Sequence, residues 1–336
     1  MSDIATREID TRTGLAHGTY GFGTFKHRGR TFPGIVRSDG GVIDVAERYA
    51  DTHAILDRWQ TSAAELRQLA TNGEVIAQFA DVTPLPPLSH PNILAAGSNY
   101  RQHVIEMYEH NDFDPRPGET REQRRARYED LMDRRIREGI PYMWTGLHSS
   151  LCGAHDDVHL PARGRNHDWE LEVAIVIGRS ERHVPPERAL ELVAGYTIVN
   201  DLGTNDTFRR TDPIPFPHDW IGKSSPTFKP AGPFIVPREL AGPVPEMRIR
   251  LSVNDRPMQD SFANDMIFGV ARLVSYASSR VRLLPGDLIL TGSPPGNGAI
   301  RGKFLTAGDI IGAEITGLGR QRNRCLDETP FGPVQN

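Results

Sequence analysis

The run LEVAIVIG, from Leu171 to Gly178, constrains the fold of this chain more than any other stretch, because unbroken aliphatic residues of this kind build a buried strand. Three acids within five positions, Asp168, Glu170 and Glu172, stand directly against it. Alternation along a strand sends Glu170 and Glu172 to one face and Trp169, Leu171 and Val173 to the other. Two like charges buried side by side are costly unless a cation joins them, since each loses its water and repels its neighbour. Asp201 ends a second strand-like run, GYTIVND, far enough along for a turn and a return strand. Three such carboxylates form a hard oxygen site suited to Mg²⁺ or Mn²⁺ rather than Zn²⁺. On spacing alone a second reading stands beside this one, in which Glu170 and Glu172 decorate the wet face of a half-buried sheet.

The rest of the chain sorts around that strand. From about Tyr20 to Val45, short apolar and aromatic runs separated by Gly, Pro and Asp-Gly signals predict strands and hairpins. A helix is expected over roughly Thr61 to Leu69, and the four prolines between Thr83 and Pro91 then keep the backbone extended. A domain boundary is expected there, with a small β-rich unit over 1–85 and the main unit over 86–336. Past it, NILAAGSNY reads as a buried strand running into a polar turn, and RQHVIEMYEH has helical spacing. Glu119 to Glu138 carries seven arginines and six acids around one thin apolar stripe, which predicts a surface helix within a charged insertion of about 110–140. Six strand-like runs follow Pro141, and Phe262 to Ser278 is expected to be an amphipathic helix. The class is mixed α+β, with β dominating.

Composition excludes several partners. The 39 basic and 43 acidic residues nearly cancel, which leaves no basic excess for nucleic-acid phosphates. No apolar run is long enough to span a bilayer and the polar start lacks a signal peptide's apolar core, so no membrane partner and a cytoplasmic protein are expected. Cys152 and Cys325 lie far apart, without any CxxC pair, so neither a disulfide framework nor a thiolate zinc site is expected.

Other candidate groups are scattered. His103 and Glu106 lie three apart, the spacing that puts both on one side of a helical turn, where a carboxylate can orient an imidazole acting as general base. Read alone, such a pair is equally a surface contact. Lys223, in WIGKSSPTFKPAGPF, can offer its charge to an oxyanion. LTGSPPGNG has glycines after a strand, but it fits neither phosphate-binding pattern, and AIRGKF is not expected to form the helix that such a loop requires.

Taken in order, SNYRQHVIE, DWELEVAIVIGR, GYTIVND, GKSSPTFKPAGPF, NDRPMQDSFANDMIF and LPGDLILTGSPPGNG resemble the fumarylacetoacetate hydrolase family over about Asn92 to Gly317. The resemblance implies a catalytic domain of mixed β-strands rolled into a sandwich or barrel-like body, usually dimeric, with a small β-rich N-terminal domain. It implies a divalent metal, Mg²⁺ or Mn²⁺ with Ca²⁺ also compatible, held by Glu170, Glu172 and Asp201. His103 and Glu106 would be the water-activating pair and Lys223 would lie in the substrate pocket, with Tyr100, Gln259, Thr291, Gly292 and Ser293 binding the substrate. The implied reaction is hydrolysis of a carbon–carbon bond in a 1,3-dicarbonyl compound. Isomerisation, decarboxylation or dehydration through the same metal-enolate chemistry is the alternative, and a non-catalytic metal-stabilised binding protein the third reading.

Three positions depart from the pattern of acylpyruvate-type members. Asn205 stands where an arginine is usual, Gly146 where a lysine is usual, and Pro226 replaces the acid of a KSxD motif. Loss of those two cations predicts a substrate less anionic than a simple acylpyruvate. Arginines of the charged insertion, such as Arg121, Arg124 and Arg125, are the alternative source of positive charge.

Overall fold

In the computed structural model, which describes residues 8–111, 114–208 and 219–329, the aliphatic run forms the strand Leu171–Ile177 with every residue buried. It lies in the middle of an eight-stranded mixed sheet whose path is Tyr142–Gly146, Ile93–Gly97, Leu288–Leu290, Leu171–Ile177, Val193–Asn200, Lys229–Ala231 and Leu151–Gly153, with Val236–Pro237 also paired to Val193–Asn200. The sheet curls far enough that strands from its opposite ends meet. A Cβ added to Gly146, in one edge strand, would lie 2.9 Å from Cε of Lys229, in the strand next to the other edge. Such curvature is the usual way a twisted sheet hides its interior without a partner layer.

A second, five-stranded sheet, ordered Arg256–Phe262, Arg248–Val253, Ile310–Ile315, Gly319–Asp327 and Val158–Leu160, packs beside the first. The N-terminal hairpins form a third, ordered Ala77–Gln78, Gly41–Asp44, Arg30–Arg37, Tyr20–His27 and Thr83–Pro84. The proline-rich segment separates this sheet from the others along the chain, but the core runs across it. Phe22, Ile35 and Ile55 share one hydrophobic cluster with Val176, Ala194, Ile235 and Leu288, and Phe22 and Ile235 exchange backbone hydrogen bonds of 2.8 and 2.7 Å.

Helices differ from expectation in instructive ways. The first long one covers Trp59–Asn72 rather than roughly Thr61 to Leu69. The charged segment forms Arg121–Glu138, opened by a capping box of Thr120 and Gln123 and burying only Tyr128 and Met132. The helix expected from Phe262 begins only at Val270. Phe262 instead pairs with Arg248 as the last residue of a strand, and a short 3₁₀ turn, Ala263–Asp265, intervenes. Pairing to a neighbouring strand outweighs the helical spacing of the apolar residues there. Among the described residues no helix is long and apolar enough to cross a membrane, and Cys152 and Cys325 are buried free thiols.

Candidate active site

Strand register builds the site. Leu171 pairs with Asn200 in the antiparallel ladder, so Asp201 falls beside Glu170 and its N–H donates to the Glu170 carbonyl at 2.8 Å. Glu170 thus sits just before the strand rather than within it. On the other side Ala174 pairs with Leu290, which carries the chain onward to Gly292, whose N–H donates to Glu172 Oε2 at 2.6 Å. A side chain at Gly292 would meet Asn99 Cβ at 3.0 Å and the Ala96 carbonyl at 3.2 Å, and its φ is +90°, so glycine is required there. Asn99 ties this corner together, donating from Nδ2 to the carbonyls of Thr291 (2.8 Å) and Phe268 (3.0 Å).

Glu170, Glu172 and Asp201 each offer a carboxylate oxygen within 4.8 Å of the others. Two lysines meet them. Lys223 Nζ donates to Glu170 Oε2 at 2.6 Å and to Asp201 Oδ2 at 3.1 Å, and Lys229 Nζ donates to Asp201 Oδ1 and to the Lys223 carbonyl at 2.9 Å. The balance of burial and charge differs at each acid. Burial pushes Glu170 up to about 7 even with Lys223 beside it. Burial, with the charges of Asp201 and Glu170, pushes Glu172 well above the usual carboxylate range. Asp201 is buried too, yet its two lysines hold it below that range. Burial alone would lower Lys223, but Asp201 and Glu170 outweigh it and raise it. Three carboxylates against two ammoniums leave the cluster one positive charge short, and Glu172 is the acid to which neither lysine donates. The donor set therefore fits a divalent cation.

His103 lies inside, 9 % exposed, with Nδ1 unpartnered among the described residues. Burial, with the nearby charge of Lys223, lowers its pKa to about 4, so the imidazole is neutral at ordinary pH. No hydrogen bond or ion pair joins it to Glu106. That carboxylate accepts instead from Gln102 Nε2 at 3.2 Å and faces outward. It lines a cavity of about 610 Å³ together with Arg121, Arg124 and Arg125 of the charged helix. A second cleft runs on from Glu106 past Met258, Gln259 and Gly296. Positions three apart on a half-buried helix differ by about 60° in direction, enough to straddle the boundary between core and cleft.

The other candidates are brought to the same corner. Tyr100 is fully buried, and burial plus the Glu172 charge raises its hydroxyl pKa. Gln259 accepts from the Leu171 N–H at 3.1 Å and donates to Ser293 Oγ at 2.8 Å, and the Thr291 hydroxyl donates to the Val173 carbonyl at 2.9 Å. These bonds brace the site's frame. Asn205 Nδ2 donates to Asp168 Oδ2 at 2.9 Å, and Pro226 is exposed. Asp168 in turn accepts from the backbone N–H groups of Gly298 (2.6 Å) and Ala299 (2.8 Å). These open a short helix, Gly298–Arg301, that was not expected after the glycine loop, and an internal carboxylate takes its first amides. Sequence reasoning passed over Lys229, hidden in the apolar FKPAG, and Trp144. The Trp144 ring lies 5.1 Å from Lys229 Nζ and 5.8 Å from Lys223 Nζ, and it stacks on Trp220.

The family model for the fumarylacetoacetate (FAA) hydrolase C-terminal region matches residues 92–326. The chain belongs to the fumarylacetoacetate hydrolase family. Among relatives, it is 33 % identical over 330 residues to a 2,4-didehydro-3-deoxy-L-rhamnonate hydrolase of Sphingomonas sp. (strain SKA58), covering 93 % of this chain and 98 % of that one. It is 32 % identical to the human mitochondrial oxaloacetate tautomerase FAHD2B, covering 77 % of this chain and 74 % of the relative. The solved structure of fumarylacetoacetate hydrolase from Exiguobacterium antarcticum aligns with a TM-score of 0.69 over 92 % of this chain and 100 % of that one, at 24 % identity, which shows the shared fold. The family thus includes both hydrolases and tautomerases, all acting on small molecules by their names.

Proposed function

We propose that the protein is a metal-dependent hydrolase that cleaves a carbon–carbon bond in a 1,3-dicarbonyl compound derived from a sugar acid. The observation that carries this reading is the coexistence of the Glu170, Glu172 and Asp201 triad with a buried, neutral His103 whose Nδ1 has no hydrogen-bond partner among the described residues. A divalent metal, Mg²⁺ or Mn²⁺, held by the triad would polarise the substrate's oxygens and stabilise the enolate that leaves. His103, neutral and close to Lys223, takes a proton from the attacking water. Glu106, which faces the cleft and makes no hydrogen bond with His103, would receive that proton through water at the mouth. Lys223 is fixed between Glu170 and Asp201 and sets positive charge where the tetrahedral oxyanion develops. The match over nearly the whole length to a hydrolase of a didehydro-deoxy sugar acid supports both reaction and substrate class.

Tautomerisation is the second reading, favoured by the relatives named as tautomerases, and it uses the same residues without water. Consistent with the family resemblance, we take the working unit to be a cytoplasmic homodimer. Turnover of an acylpyruvate in ¹⁸O-labelled water separates the two reactions. Hydrolysis puts one labelled oxygen into the carboxylic acid product, whereas keto–enol interconversion without cleavage would overturn the hydrolase reading.

A further inference from the structure

Lys229 is a lysine with no exposed surface, placed in a strand between Phe228 and Pro230, which are also buried. Extending the register in which Val199 pairs with Ala231 sets Lys229 directly across from Asp201. Its ammonium binds Asp201 Oδ1 and the Lys223 carbonyl, under the face of Trp144. Asp201 is therefore gripped on both oxygens, by Lys229 on one and Lys223 on the other, and the turn Trp220–Ser224 that carries Lys223 is pinned through its own backbone. The facing strand makes room for this. At Gly146 a Cβ would touch the Lys229 stem at 2.9 Å, so the space that a side chain at 146 would occupy is filled from the opposite end of the curled sheet.

We propose that Lys229 is a positioning residue that sets the orientation of Asp201 and of the Lys223 turn, and that it does so through the volume left open at Gly146, so that positions 229 and 146 are alternative anchor points for one ammonium. This rests on the metal reading above and adds to it a residue, and a reciprocal pair, that the ligand set does not contain. A lysine anchored at 146 starts beside the present Lys229 Cε and has slack to reach Asp201 once the stem at 229 is gone. The two roles open to Lys229 predict opposite signs. As a mere nearby positive charge it opposes a cation, and its removal would tighten metal binding. As a positioning group, its removal leaves Asp201 Oδ1 and the Lys223 carbonyl buried without a donor, and binding weakens.

The test is Mn²⁺ affinity, measured by calorimetry and by electron paramagnetic resonance on the full-length protein stripped of metal. Lys229→Met is expected to bind Mn²⁺ on the order of 10- to 100-fold more weakly than the parent, the range for partners that orient a metal's ligands. The double variant Lys229→Ala with Gly146→Lys is expected to return to within about threefold of the parent, because the ammonium is restored from the other strand. Unchanged or tighter binding by Lys229→Met overturns the positioning role, and a double variant as weak as Lys229→Ala alone overturns the pairing of 229 with 146. If Lys229→Met does not fold, shown by circular dichroism, the double variant decides, its recovery supporting the proposal and its failure overturning it. A parent that binds no Mn²⁺ overturns the metal reading and this inference together, whereas a parent that binds while Lys229→Met is unaffected overturns this inference alone.

Discussion

Inside the curled sheet, three carboxylates and two ammoniums share a site largely withdrawn from water, while along Arg121–Glu138 carboxylates and guanidiniums stand on the surface in mixed order. Both regions set acids against cations, and the surroundings make the larger difference. In the interior an unpaired charge is expensive, so Glu170 and Glu172 rise in pKa and every lysine is committed to an acid. Around the helix, pairs such as its Asp133 with Arg101 of the preceding helix at 2.9 Å are screened and contribute little, while Arg121, Arg124 and Arg125 line a cavity. Charge is informative about function where water cannot pay for it.

The largest expected effect tests the interior directly. Glu172→Ala should reduce bound metal from stoichiometric to none after gel filtration, measured by elemental analysis, while Glu129→Ala on the surface helix leaves metal content unchanged. Equal metal in both variants would erase the contrast between the two regions.

Next is His103. His103→Ala should lower kcat on the order of 10² to 10⁴ with metal content intact, since the residue acts on water and is not a ligand. Its burial also makes a stability prediction. The folded protein holds the imidazole at about 4 against 6.5 for the free group, so between those values the unfolded chain binds more protons. Stability must therefore fall as pH drops through 6.5 towards 4, by about 3 kcal/mol in full. The loss is absent in His103→Gln. Urea unfolding of the metal-free parent and variant at pH 7 and pH 4.5 gives the difference, and parallel curves would mean that His103 is solvated.

Smaller effects belong to the helix. Arg121 and Arg125 line the cavity shared with Glu106, so replacing both with Gln should raise KM for an acylpyruvate by less than about tenfold and leave an uncharged 1,3-diketone unaffected. Similar changes for both substrates would remove the helix from substrate recognition. Arg134→Ala, fully on the surface, should move Tm by under about 2 °C.

Much of this site was legible before any coordinates. The aliphatic run predicted the central buried strand, and the acids beside it do converge with Asp201 because two antiparallel strands return their ends to the same place. The surface helix was legible from its stripe, whereas the capping box of Thr120 and Gln123 that opens it was seen only in the structure. Other features were not. The spacing of His103 and Glu106 reports a shared helix side but not where the core ends, and the structure puts one residue inside and the other at the cleft. Asn205 looked like a lost substrate contact, yet it is a partner of Asp168, so its lack of charge says little about the substrate.

What the sequence by itself determined was local: that the aliphatic runs are strands, that the charged stretch is a surface helix, and that carboxylates stand against a buried strand. Only the tertiary structure decided which cation meets which acid. Lys229 reaches Asp201 across a sheet register, and it passes through space left by Gly146, a residue from the opposite end of the same sheet. Closure of the sheet is a long-range event with no period in the chain, so no pattern of spacing could announce that a glycine in one strand makes room for a lysine in another.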